Sequence, residues 1–337
     1  MAKNIKVTVK RIADLAGVST ATVSRVLNHK TTVNEDTRQK ILAVMEELNF
    51  NIPGSSSLAA SRTILLFVPD FTNPFNALII QGIQQSAGNN HYRVFILQSK
   101  EKQLSFEDYD EAVKNHSFAG IILLSSATNQ KLLELLTVSC PIVMCSEYCD
   151  VNGISFVSTD DVSAARKATE YLISCGCKKI ALLNFSLNFR FSRYREQGYT
   201  EALHKAGLKK NEDWIVHLSS ISYHLAYSYA LHLLSQPNPP DAIFAISDVY
   251  AVAALYAAQK KGLRVPEDIS VIGFDNTELS AITNPSLTTM EQPGIQIGYQ
   301  SCELLIEKIN NPKTVKKRII MNTELIVRES TLNFPQR

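Results

Sequence analysis

Long apolar runs are missing from this chain. None approaches the roughly 20 residues that a helix needs to cross a bilayer, so no membrane contact of that kind is expected. The opening MAKNIKVTVKR lacks the hydrophobic stretch of a secretory signal, which makes the cytoplasm the expected compartment. The six cysteines (Cys140, Cys145, Cys149, Cys175, Cys177 and Cys302) form no CxxC pair and have no histidine cluster beside them. Buried reduced thiols are therefore expected rather than a metal site or a disulfide framework. Catalytic signatures are absent too: there is no GxSxG, no P-loop and no GxGxxG after a strand. The seven histidines are scattered without metal spacing, so neither an enzyme nor a cofactor is expected. Net charge is small as well, at +2, but unevenly spread. Residues 1–62 hold nine Lys/Arg against five Asp/Glu, leaving −2 for the remainder. A polyanionic partner suits the N-terminal part alone.

What is present begins with TVKRIADLAGVSTATVSRVLN, Thr8 to Asn28. Thr8 suits an N-cap, and Val9, Ile12, Ala13, Leu15 and Ala16 recur at helical spacing. Gly17 supplies a turn because it takes a positive φ without Cβ strain. Ser19 can cap a second helix that turns Val23, Val26 and Leu27 to one face and leaves Thr20, Ala21, Thr22, Ser24 and Arg25 outward. A third helix starts at Asn34 to Asp36, with Ile41, Val44, Met45 and Leu48 inward. Three such helices make either a helical cap on a larger domain or a helix-turn-helix whose second helix lies in a DNA major groove.

Residues 51–63, NIPGSSSLAASRT, break the helical pattern at Pro53-Gly54 and read as a linker. From Ile64 apolar runs alternate with amphipathic helices. ILLFVPD, YRVFILQS, AGIILLS, PIVMCSE, GISFVSTD, KKIALLNF, DAIFAISD and ISVIGFDN are continuous enough to be strands of parallel sheets covered on both faces. Two sheets arise, one before and one after about residue 160. Several strands end in a polar residue: Asp70, Ser125, Glu147, Asp160, Asp248 and Asp275. In open α/β sheets ligands sit beyond those ends, so two opposed lobes would aim them at one small molecule.

VTVKRIADLAGVSTATVSRVLN followed by TVNEDTRQKILAVMEELNF resembles the DNA-binding headpiece of the lactose/galactose repressor family at nearly every position from Val7 to Phe50. VPDFTNPF, RYREQGYTEAL, ISDVYAVAAL, VPEDISVIGFDN and NPSLTTMEQP resemble its effector core. The resemblance implies an all-α helix-turn-helix headpiece (1–50), a hinge (51–63) and an α/β bilobal, periplasmic-binding-protein-like core (64–337). That core would have two parallel sheets and crossovers near 160, 288 and 320. It implies a hinge helix that wedges Leu58 into the minor groove. The proline-to-leucine spacing is two residues shorter than is usual in the family, and Gly54 with three serines is poor helix material, so a plain Ser-rich tether stands beside the hinge helix. In the core it places Arg195 and Asp275 on ligand hydroxyls, Phe71, Asn73 and Phe75 on the first wall, and Asp248 and Gln292 on the second. Glu147 stands where many sugar-responsive members carry Asp or Arg. SRTILLFVPDFTNPF, PIVMCSEY and ELIVREST are most similar to the cytidine-responsive branch, which implies a nucleoside effector, with a sugar as the alternative.

The expected partner is therefore a double-stranded, pseudo-palindromic operator. Thr20 and Ala21 would meet base edges, and Arg25 would meet a guanine or a phosphate. Thr8, Ser19, Thr22, Ser24, Asn28 and Thr37 suit phosphate oxygens. One headpiece offers little contact area, and no leucine heptads follow ELIVREST, so a homodimer is expected. A transport binding protein would share the core but lack the headpiece.

Overall fold

The structure, a computed structural model, describes residues 9–27, 33–48, 62–98, 118–124, 130–149 and 153–331. Thr8, Asn28, Leu58 and Ser125, most of the linker, and the helix expected over 106–115 lie outside the described residues.

Helices α1 (Val9–Ala16), α2 (Thr20–Leu27) and α3 (Glu35–Glu47) pack around Ile12, Ala13, Val23, Val26, Ile41 and Met45. Gly17 turns the chain between the first two at φ 67°. Ser19 Oγ accepts from Thr22 N at 3.1 Å, and Asn34 Oδ1 from Asp36 N at 3.1 Å, so both expected caps are made. Leu15, expected on the buried face of α1, is exposed instead.

Among the described residues the core holds two six-stranded sheets. The first has the order β2 (Arg93–Gln98), β1 (Thr63–Val68), β3 (Gly120–Leu123), β4 (Ile142–Cys145), β5 (Ser155–Thr159), β11 (Arg318–Met321), all parallel. The second has β7 (Ile215–Leu218), β6 (Ile180–Phe185), β8 (Ala242–Ala245), β9 (Ser270–Asp275), β10 (Thr288–Glu291) and β12 (Glu324–Ile326). Only β12 runs antiparallel there, against β10. Every residue of β6 and β9 is buried, as parallel strands covered on both faces require.

Lobe 1 carries α4 (Pro74–Asn89), α5 (Gln130–Ser139) and α11 (Gly294–Asn310). Lobe 2 carries α6 (Asp161–Ser174), α7 (Arg190–Lys205), α8 (Tyr223–Leu234), α9 (Asp248–Lys260) and α10 (Glu278–Ile282). Because α11 and β11 return to lobe 1, the chain passes between lobes after β5, after β10 and between β11 and β12. α11 lies so close on α4 that a Cβ at Gly298 would stand 2.1 Å from Ile79 O, and one at Gly82 1.9 Å from Ile295 O. Only glycine fits this crossing. No helix of the described residues is long and apolar enough to cross a membrane.

Candidate effector cleft

The carboxyl ends of strands from both sheets face one cavity, with about 750 Å³ of empty space including its open mouth. Lobe 1 contributes Pro69 and Asp70 after β1, Asn73, Phe75 and Asn76 at the start of α4, Leu124 after β3, and Ser146 and Glu147 after β4. Lobe 2 contributes Phe185, Phe189, Phe191 and Arg195 around the β6–α7 junction. Ile221, Ile246, Ser247, Asp275 and Gln292 complete it.

Local chemistry fixes several of these. Asn73 is the N-cap of α4, its side chain accepting from Phe75 N, and Pro74 opens the helix with φ already set. Asp70 Oδ1 accepts from Thr72 N at 2.8 Å and from Thr72 Oγ1 at 2.6 Å, which ties the turn between β1 and α4. Asp275 ends β9 at φ 110°, a conformation rare outside glycine and a strain of the kind found at functional sites.

Charge is concentrated on the lobe 2 wall. Arg195 is buried, and donates from Nε to Asp161 Oδ1 at 2.8 Å and from Nη1 to Ile246 O at 2.7 Å. Its guanidinium carbon lies 3.6 Å from the Phe274 ring centroid and 5.1 Å from that of Phe191. Asp275 Oδ1 accepts from Gln292 Nε2 at 2.7 Å. Burial pushes the Asp275 carboxyl well above the usual carboxylate range; Arg195 opposes this, while Asp248 adds to it. Asp161 is also raised by burial, again against the pull of Arg195. Asp248 is pushed up to about 6 by burial, which hydrogen bonds from Thr289 and Thr277 partly offset.

Bonds across the cleft hold the lobes together. Glu147 Oε1 of lobe 1 accepts from Phe191 N of lobe 2 at 2.9 Å. Arg190 Nη1 donates to Tyr148 O at 3.2 Å, with the guanidinium carbon 3.1 Å from the Tyr148 ring centroid. Thr159 Oγ1 donates to Gln292 Oε1 at 3.1 Å, joining the first crossover to the second.

Most of the residues expected in the cleft meet there: Asp70, Asn73, Phe75, Glu147, Arg195, Asp275 and Gln292. Two do not. Phe71 is 50% exposed and absent from the lining. Asp248 sits beneath it, its carboxylate taken up by Thr277 N at 2.7 Å, Thr277 Oγ1 at 2.9 Å and Thr289 Oγ1 at 2.6 Å. Its work is to tie α9 to the ends of β9 and β10. Phe185, Phe189 and Phe191 were missed, although FSLNFRF directly after a strand is a legible aromatic run at a ligand-facing strand end. Asp161 gave no separate signal.

On the headpiece, Ser19, Thr20, Ala21, Ser24 and Arg25 are exposed, and Thr22 and Thr37 half-buried. Thr22 Oγ1 and Ser19 Oγ lie 2.8 Å apart.

The family models match both parts. The one described as "Bacterial regulatory proteins, lacI family" covers residues 8–52, and "Periplasmic binding proteins and sugar binding domain of LacI family" covers 61–329. The chain belongs to the LacI family. It is thus a ligand-responsive, DNA-binding transcriptional repressor and not an enzyme. It is 33% identical over 333 residues to the HTH-type transcriptional repressor CytR of Escherichia coli (strain K12), 97% of each chain being covered. To the HTH-type transcriptional repressor PurR of Pasteurella multocida it is 31% identical, over 96% of this chain and 98% of that one. The fold superposes on a transcriptional regulator CelR–cellobiose complex with TM-score 0.73 and 28% identity, over 96% of this chain and 100% of that one. As a LacI-family repressor, the chain pairs an operator-binding headpiece with a small-molecule core.

Proposed function

We propose that the effector of this repressor is a nucleoside such as cytidine, bound in the interlobe cleft of a homodimer seated on a pseudo-palindromic operator. One observation carries the ligand class. The cavity joins an aromatic lining (Phe75, Phe185, Phe189, Phe191) to a polar corner of Arg195 and Asp275, with the carboxylates Asp70 and Glu147 on the lobe 1 side. Phe185 and Phe191 are stacked, with centroids 5.7 Å apart and planes 12° apart, which makes an aromatic surface for a flat base to lie against. Vicinal ribose hydroxyls suit the other corner. A carboxylate accepts from two of them, and the guanidinium Nη2 remains after Nε and Nη1 are spent on Asp161 and Ile246. A pyranose carries hydroxyls around its whole rim, and burying them against phenylalanine leaves donors without acceptors. The sugar reading keeps support of its own, in the sugar binding domain that the core's family model describes and in the cellobiose-bound relative of the same fold.

In this reading Asp70, Asn73, Phe75, Glu147 and Gln292 shape the rest of the site, and Ser125 is proposed to join them. Thr20, Ala21 and Arg25 face the operator bases, and Leu58 of the linker intercalates where the two half-sites meet. The test is a thermal-shift screen against nucleosides, nucleobases and sugars. A ligand at 100 times its dissociation constant stabilises by about 2.7 kcal/mol. A shift with cytidine that disappears in Asp275→Asn supports the proposal. A shift with a sugar alone replaces the ligand class.

A further inference from the structure

Strand β6 reads IALLNF, and Asn184 interrupts an otherwise apolar, fully buried run. A buried amide in a strand is costly unless its polar atoms are paired. Here they are paired, and every partner belongs to the segment that follows. Asn184 Oδ1 accepts from Phe185 N at 2.8 Å and from Ser192 Oγ at 2.8 Å. Asn184 Nδ2 donates to Ser192 O at 3.2 Å and to Glu196 Oε2 at 3.1 Å. Residues 185–195 between these anchor points carry Phe185, Phe189, Phe191 and Arg195 of the cleft.

This segment has no side-chain cap at the start of its helix: α7 begins after Phe189, whose side chain makes no capping hydrogen bond. The first turn is held from outside instead, by Glu147 across the cleft on Phe191 N and by Asn184 from the sheet below. The far end of the brace is fixed too, since Glu196 Oε2 also bonds His217 Nε2 at 2.6 Å and Glu196 Oε1 lies 3.5 Å from Lys210 Nζ.

We propose that Asn184 is the positioning residue of the effector's aromatic wall. It touches no ligand. Its amide sets the path of 185–192, so that three phenylalanines project into the cleft rather than into solvent. The role of that wall in holding a base rests on the nucleoside reading; the positioning does not.

The test uses Asn184→Asp, which keeps the shape, removes both donors and sets a carboxylate against Glu196. Hydrogen exchange of the whole protein is followed by mass spectrometry, and cytidine binding by calorimetry. The expected result is faster exchange over 185–192 with β8 and β9 unchanged, and cytidine affinity about tenfold weaker, since binding must then re-order the loosened segment. Adding Glu196→Gln returns a donor to the pair and should restore part of both readouts. Unchanged exchange over 185–192 overturns the proposal, and so does faster exchange spread evenly through lobe 2. Should Asn184→Asp not fold, Asn184→Ser removes the same brace without touching the Ser192 Oγ bond to Phe185 O and is held to the same two criteria. If the natural protein gives no heat with cytidine, the nucleoside reading fails, while the exchange comparison still decides the positioning.

Discussion

Replacing Arg195 by Met tests whether the cleft is organised around one buried cation. Arg195 and Asp161 each have only 7% of their side chains exposed, and Asp275 is buried beside them. Methionine keeps most of the volume but leaves two buried carboxyls without their counter-charge. Breaking a buried pair by removing one partner costs about 3–5 kcal/mol, or roughly 10 °C in Tm for lobes of this size. The cost has a pH signature. Burial raises the folded-state pKa of Asp161 and Asp275, so folding takes up protons. Stability then falls as pH climbs from about 4, the unfolded carboxyl value, through the raised folded values. Arg195 is the group that pulls both back down, so its loss lengthens the fall. The variant's deficit should be small at pH 5 and near its full size at pH 8. Asp161→Asn added to Arg195→Met removes one stranded charge and should recover part of the loss at pH 8. Calorimetric scans of the three proteins at both pH values decide the matter. An equal deficit at pH 5 and pH 8, or no recovery in the double variant, would refute the argument.

Gly298→Ala should lower Tm by several degrees, because its Cβ meets backbone at 2.1 Å and overpacking of this kind costs about 1–3 kcal/mol; Gly88→Ala, on the same helix pair with nothing within 4 Å, should leave Tm level or raise it. A calorimetric scan in which both variants behave alike would contradict the close helix crossing. Arg25→Ala should weaken operator binding in a salt titration. A phosphate contact lowers the salt slope by about one for every sequence, whereas a guanine contact relaxes discrimination at one base pair by about 1–3 kcal/mol. Unchanged affinity and slope would remove Arg25 from the interface.

How much was legible depended on whether a signal was local. The caps at Ser19 and Asn34 were readable because the capping residue and the amide it satisfies lie within three positions of each other. The eight strands read from the sequence were legible as apolar runs, most of them because burial on two faces leaves no polar alternation to confuse them, whereas β10, β11 and β12 were not among them. Strand β7, half exposed at a sheet edge, and α11, which belongs to the lobe it does not follow in sequence, gave no such signal. The cleft followed the same rule. Strand-end residues Asp70, Glu147 and Asp275 were found from position alone. Asp248 occupies an equivalent strand end but turns inward, because Thr277 and Thr289, distant in sequence, supply three donors to its carboxylate. Phe71 fails for a related reason: the Asp70–Thr72 turn carries it outward, while Asn73 and Phe75 continue into the cavity.

Both charged side chains on the lobe 2 wall of the cavity are bonded to the segments about which the lobes would turn. Arg195 holds Asp161, two residues beyond the end of β5, and Asp275 is held by Gln292, one residue beyond β10. Gln292 in turn accepts from Thr159, the last residue of β5. The two candidate ligand-binding side chains are therefore each hydrogen-bonded to a crossover, Arg195 to the first and Asp275 to the second, and Thr159 joins the two crossovers through Gln292. Hinges are element-terminal residues that absorb the change in backbone torsion, which describes residues 159–161 and 291–293. A ligand that takes a hydrogen bond from Arg195 or gives one to Asp275 competes with, or reinforces, bonds whose geometry changes with lobe rotation. It can shift the lobes only as far as those bonds differ between the two arrangements. Substitutions at Thr159 and Gln292 thus belong with the effector site when coupling is measured, even though one of the two never reaches the cavity.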